Sequence, residues 1–113
     1  MITAARSFAE RYVGFVNAGH YDQLASLFAP DASFLGPGGR EFRGQEEIAA
    51  FYGTFLPTIT PRIRLASLVE AGPHCVYELE AQVAGQTQYV LSAIDHVTLD
   101  DDGLATRFAV YTK

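Results

Sequence analysis

A single cysteine, Cys75, stands among 113 residues. That count rules out an internal disulfide framework and fits a reducing compartment. Basic runs are missing too: no two of the eight Lys and Arg residues are adjacent, and the formal charge is −5. With a pI near 5.0, nucleic acid and anionic membrane are poor partners. No window reaches the roughly 18 apolar residues of a membrane span, and Met1 to Arg6 lack the apolar run of a signal peptide. The expectation is a soluble, cytoplasmic chain. Three scattered histidines, His20, His74 and His96, make no metal-ligand spacing with that one thiol. No phosphate loop, dinucleotide fingerprint or nucleophile elbow is present either, so neither cofactor nor metal is expected.

What the chain does have is apolar surface: 49% hydrophobic residues, with eight Phe and six Tyr. Disorder is excluded by that composition. The length fits one domain, residues 1–113, whose core buries about two-thirds of the unfolded surface. No repeat, low-complexity tract or linker divides it.

Periodicity supplies the elements. Ala5, Phe8, Tyr12, Phe15 and Val16 recur at helical spacing between Ala4 and Ala18, with Thr3 as N-cap and Gly19 as stop. A short second helix is predicted with Asp22 as its cap, Leu24, Leu27 and Phe28 inside, and Pro30 as its end. A brief strand, Ala32–Leu35, runs into the turn Gly36-Pro37-Gly38-Gly39. The third helix is placed from Gln45 to Leu56, closed by Pro57 and Pro61. Alternation then predicts strands around Ile63–Val69, Cys75–Ala84, Thr87–Leu99 and Leu104–Thr112, with turns at Gly72-Pro73, Gly85-Gln86 and Asp100–Gly103. Helices first and a meander afterwards means α+β, in the order α-α-β-α-β-β-β-β. A curved antiparallel sheet wrapped around the helices would form a cone with a pocket inside.

The segments Arg11-Tyr12-Val13, Leu27-Phe28-Ala29-Pro30-Asp31-Ala32, Gly44 to Tyr52 and Ile94-Asp95-His96 resemble those of the ketosteroid isomerases. That family lies within the wider nuclear transport factor 2 and polyketide cyclase (SnoaL-like) superfamily, whose fold is the cystatin-like cone. The resemblance covers almost the whole chain. It implies that Tyr12 and Asp95 form an oxyanion hole, with the aspartic acid held protonated as a donor; that enzyme is the standing example of such chemistry. It also implies a supporting hydrogen bond from Tyr52 to Tyr12. At the family's general-base aspartate, which precedes a proline, this chain has Gly36 before Pro37.

The residues support the pair independently. Tyr12 shares a helical stripe with Phe8, Phe15 and Val16, so its hydroxyl points inward and needs a partner. Asp95 shares strand parity with Leu91, Ala93, Val97 and Leu99, an apolar face on which an ionised carboxylate is costly. Desolvation there keeps it protonated, and two neutral donors suit an enolate or phenolate oxygen. An ordinary core tyrosine and a structural carboxyl are the plain alternatives. Tyr52, Phe51 and Phe108 are candidates to support the pair or touch a ligand, as is Gly36, whose missing side chain is expected to open one wall of the pocket.

Three readings of function follow. The first is an enzyme acting on an apolar ketone or polyketide-like substrate, weak as a ketosteroid isomerase because Gly36 offers no base. The second is a binding protein for a hydrophobic phenol or ketone. The third is a mainly structural homodimer, using Val76, Val90 and Ile94 on the face away from Asp95.

Overall fold

The computed structural model describes residues 2–83 and 85–112. Helix α1 spans Ala4–Ala18. Its N-cap Thr3 accepts from the Arg6 amide, and its C-cap Gly19 sits at φ 75°, a left-handed turn that favours glycine. A 3-10 helix, Tyr21–Leu27, follows. Strand β1 is Phe28–Leu35, and β2 is Glu41–Arg43. Helix α2 is Gly44–Ile59. Then come β3 (Arg62–Ala71), β4 (His74–Gln82), β5 (Val90–Leu99) and β6 (Ala105–Thr112).

The six strands form one sheet in the order β2-β1-β6-β5-β4-β3. The α+β class and the cone of sheet around helices are as expected, but several details differ. The sheet is mixed rather than antiparallel, because β1 runs parallel to β6. Strand β2 is an added sixth strand, too short for alternation to reveal. The second helix is 3-10, and Asp22 lies in its first turn instead of capping it, while His20 at the cap position makes no side-chain bond. Pro30 does not end a helix; it lies in β1, where the register with β6 shifts between Phe28 and Ser33, a position that tolerates a residue without an N–H. In α2, Pro57 occupies the last turn, and the helix closes one turn later at Thr60. The Cys75–Ala84 strand is seen as His74–Gln82; Ala84 lies outside the described residues. The long strand begins at Val90, three residues later than predicted.

Register explains what the concave face presents. One row across the strands is Phe42, Phe34, Phe108, Val97 and Cys75; the next contains Val110, Asp95 and Tyr77; the third contains Thr112, Ala93 and Leu79. Alternate residues point to opposite faces, so Glu78, Glu80 and Ile94 face outward. There Glu80 pairs with Arg64 at 2.7 Å and Glu78 accepts from Ser67. The helices cover the concave face with Phe8, Tyr12 and Val16 from α1 and with Ile48, Tyr52 and Leu56 from α2, all buried. Asn17 fixes α1 against the start of β3: its side chain donates to the Ile63 carbonyl at 2.8 Å and accepts from the Ile63 amide at 2.7 Å.

Candidate active site

A cavity of about 220 Å³ lies between the helices and the concave face. Tyr12 from α1, Phe51 and Tyr52 from α2, and Asp95 from β5 share its wall. Phe34, Leu56, Ile63 and Leu79 supply much of the apolar remainder, and Ser92 and Thr112 add hydroxyls. Asp95 is the one carboxylate on that wall among the described residues.

Tyr12 and Tyr52 are joined by a hydroxyl–hydroxyl hydrogen bond of 3.0 Å. Burial drives both phenols well above their ordinary pKa. For Tyr12 a negative charge on Asp95 would add to that rise, while the bond from Tyr52 opposes it. The geometry lets either hydroxyl donate; with Tyr52 as the donor, the Tyr12 proton is left for another acceptor. The Tyr12 ring is held by Phe108, with centroids 5.3 Å apart in a stacked arrangement, and by Tyr52 edge-on at 6.1 Å.

Asp95 is 1% exposed, and neither carboxyl oxygen has a hydrogen-bond partner among the described residues. Burial pushes its pKa up to about 8; the nearby Tyr77 hydroxyl lowers it by a smaller amount. At neutral pH the group is mostly a carboxylic acid, with one O–H to donate and an oxygen to accept. Tyr12 and Asp95 share the wall of this largely apolar cavity. A developing oxyanion there would receive hydrogen bonds at low local dielectric.

The remaining expected residues fall outside the wall. Phe108 is fully buried beneath Tyr12, stacked on Phe34 as well at 5.3 Å, and acts from behind. Gly36 is buried beside Pro37, which does line the cavity. The expected open space at Gly36 is not found: a Cβ built there would approach Phe34 Cε1 to 2.9 Å. The Phe34 ring fills the volume that a side chain at 36 would enter. Its backbone, with φ −86° and ψ −178°, is extended and open to any residue, so the obstacle is the ring and not the chain.

Residues 9–108 match the family model of the SnoaL-like domain. Over 113 residues the chain is 32% identical to the steroid Delta-isomerase of Nocardioides simplex, covering 98% of this chain and 91% of that protein. The chain belongs to the SnoaL-like family. Within it, this ketosteroid-isomerase-like member shares its fold with solved structures of much lower identity. One is a computationally designed 17-OHP binder, with TM-score 0.82 and 18% identity, covering 100% of this chain and 93% of the other. Another is RV0760c from Mycobacterium tuberculosis in complex with estradiol-17beta-hemisuccinate, with TM-score 0.80 and 17% identity, covering 99% and 95%.

Two residues of this SnoaL-like site were not singled out from sequence. Phe34 carries no polar signal, and its crowding of Gly36 is a tertiary contact. Tyr77 alternates with Glu78 and Glu80, which marks it as inward, but only the β4–β5 register places it opposite Asp95.

Proposed function

We propose that the chain binds the oxygen of an apolar ketone or phenol between Tyr12 and Asp95 and stabilises negative charge on it. The role is isomerase-like or ligand-binding, in keeping with the 32% identity to a steroid Delta-isomerase. The observation that carries it is Asp95: a buried carboxyl, unpartnered among the described residues, on a cavity wall it shares with the hydrogen-bonded Tyr12–Tyr52 pair. The cavity volume of about 220 Å³ is below the roughly 300–1,000 Å³ usual for a drug-sized ligand. It suits the oxygen-bearing end of a polycyclic molecule, or all of a two-ring one.

A planar phenol tests this, because its absorbance reports phenolate character. Estradiol and 2-naphthol titrated into the protein at pH 7 should bind. Tyr12→Phe and Asp95→Asn should each weaken binding by about 1–3 kcal/mol, the worth of a hydrogen bond to a charged group. Equal affinity of both variants and the parent rejects the oxyanion-hole reading.

Binding without turnover is the second reading, favoured by the lack of any further carboxylate on the wall among the described residues and by the Phe34 ring at Gly36. Isomerising a β,γ-unsaturated ketosteroid requires a base within hydrogen-bond reach of the migrating proton. A parent that binds the steroid with no ultraviolet change from conjugated enone is a binding protein. Self-association is part of the proposal as well: Val69, Ile94 and Tyr111 are exposed on the outer face of the sheet, at 66%, 38% and 51%. Sedimentation of the parent against Ile94→Lys tests for a homodimer.

A further inference from the structure

Three buried side-chain atoms have no hydrogen-bond partner among the described residues, and all belong to two residues: the Tyr77 hydroxyl and both oxygens of Asp95. An unmet buried polar atom costs about 1–3 kcal/mol, so native folds rarely keep several together without a use. Here the register brings them side by side. Tyr77 on β4 is the direct antiparallel partner of Asp95 on β5, and both point to the concave face. Tyr77 is fully buried and is not on the cavity wall. Its ring packs against Tyr12 at 6.4 Å, beneath the site, where its hydroxyl cannot meet a ligand.

We propose that Tyr77 is a positioning residue whose hydroxyl donates to the inner oxygen of the Asp95 carboxyl, so that the acid proton is carried on the oxygen facing the cavity. A neutral carboxyl has one donor and one acceptor side. Tyr77 occupies the acceptor side, and the donor side is left to the ligand. Phenylalanine at 77 would keep the packing and leave the acid proton with no preference between its two oxygens. In accord with this, Tyr77 pulls the Asp95 pKa down against the larger effect of burial, and Asp95 in turn pushes Tyr77 up.

The titratable groups around Asp95 are few. Tyr12 faces it from α1, Tyr52 from α2, and Tyr77 from β4, with Cys75 farther along β4; β6 contributes the apolar Val110. All four of those groups are shifted upward, Cys75 to about 11. Between pH 5 and 9 the Asp95 carboxyl therefore titrates without interference from them.

The inference rests on reading Asp95 as a donor to the ligand, and the two fail separately. The Asp95 side-chain carbon is followed by NMR against pH in the ligand-free parent and in Tyr77→Phe. Losing the hydroxyl should raise the midpoint by about 0.5–1 unit, the equivalent of one hydrogen bond. Estradiol affinity at pH 7 should fall roughly 2–10-fold, with the pH of half-loss of binding moving upward. An unchanged or lowered midpoint in the folded variant overturns the proposal, as does a higher melting temperature with no change in midpoint, the mark of an idle buried hydroxyl. If the midpoint moves while Tyr12→Phe and Asp95→Asn bind estradiol as the parent does, Tyr77 positions Asp95 and the ligand reading alone is wrong.

Discussion

Stability should fall as pH rises from 5 to 7, and Asp95 should be the cause. In the unfolded chain its carboxyl titrates near 3.8, and in the folded protein burial raises this to about 8. Between those values the native state keeps a proton that the unfolded state has lost, so unfolding free energy declines with pH. Its contribution is whole below about pH 4, is lost progressively above, and is gone once pH passes 8. The full window of about four units corresponds to on the order of 5 kcal/mol, a large share of the 5–15 kcal/mol that stabilises a typical domain. The slope is the sharper quantity: one retained proton gives about 1.4 kcal/mol per pH unit. Other carboxylates add their own slopes, so the comparison is with Asp95→Asn, which keeps the shape and removes the titration. Urea unfolding of both proteins at pH 5, 6 and 7 yields two stability curves. Their difference should change by about 1.4 kcal/mol per unit, the parent losing ground as pH rises. Parallel curves would mean that Asp95 is already ionised at pH 5, and the neutral-donor account of the site would fall with it.

Three further outcomes are expected. Gly36→Asp alone should stay near background as a ketosteroid isomerase, because its Cβ meets Phe34 Cε1 at 2.9 Å. Pairing it with Phe34→Leu should admit the carboxylate and give a gain toward the low end of the roughly 10²–10⁴-fold typical of a positioned base, so a double variant that binds steroid but never turns it over removes the isomerase reading. Tyr52→Phe should cost estradiol binding about 0.5–1.5 kcal/mol, since it removes the 3.0 Å bond to the Tyr12 hydroxyl; affinity unchanged would make Tyr52 a packing residue. Estradiol binding should also weaken above pH 8 as Asp95 ionises, and binding that is flat from pH 6 to 9.5 in a folded protein would show that the carboxyl does not touch the ligand.

Local chemistry made part of this molecule readable in advance. Thr3 and Gly19 bracket α1 because capping and left-handed backbone are short-range demands. The parity of Asp95 with Val97 and Leu99 disclosed its buried face for the same reason. Where sequence failed, the deciding contact was distant. No periodicity within β1 announces that its neighbour is β6, nor that it runs parallel to it. Pro30 reads as a helix stop until the β1–β6 irregularity gives it a place in a strand. Gly36 reads as space until Phe34 is seen folding back across it. Tyr77 and Asp95 each read as inward, yet their meeting depends on a register that sequence alone does not fix.

The parallel pairing of β1 with β6 also governs when the cavity can come into being. Phe34 and Phe108 are direct partners about seventy positions apart in the chain, a contact of the non-local kind that slows folding. As the polypeptide leaves the ribosome, β1 and α2 emerge long before the strand that joins them to the rest of the sheet. Until Ala105–Thr112 is available, the rings of Phe34 and Tyr12 lack their stacking partner Phe108. Aromatic surface around Tyr12 and Phe34 thus stays uncovered until β6 is made, and uncovered apolar surface favours aggregation. β6 follows the other five strands of this sheet in the chain, and it is the strand that completes the surface beneath the two apolar helix faces.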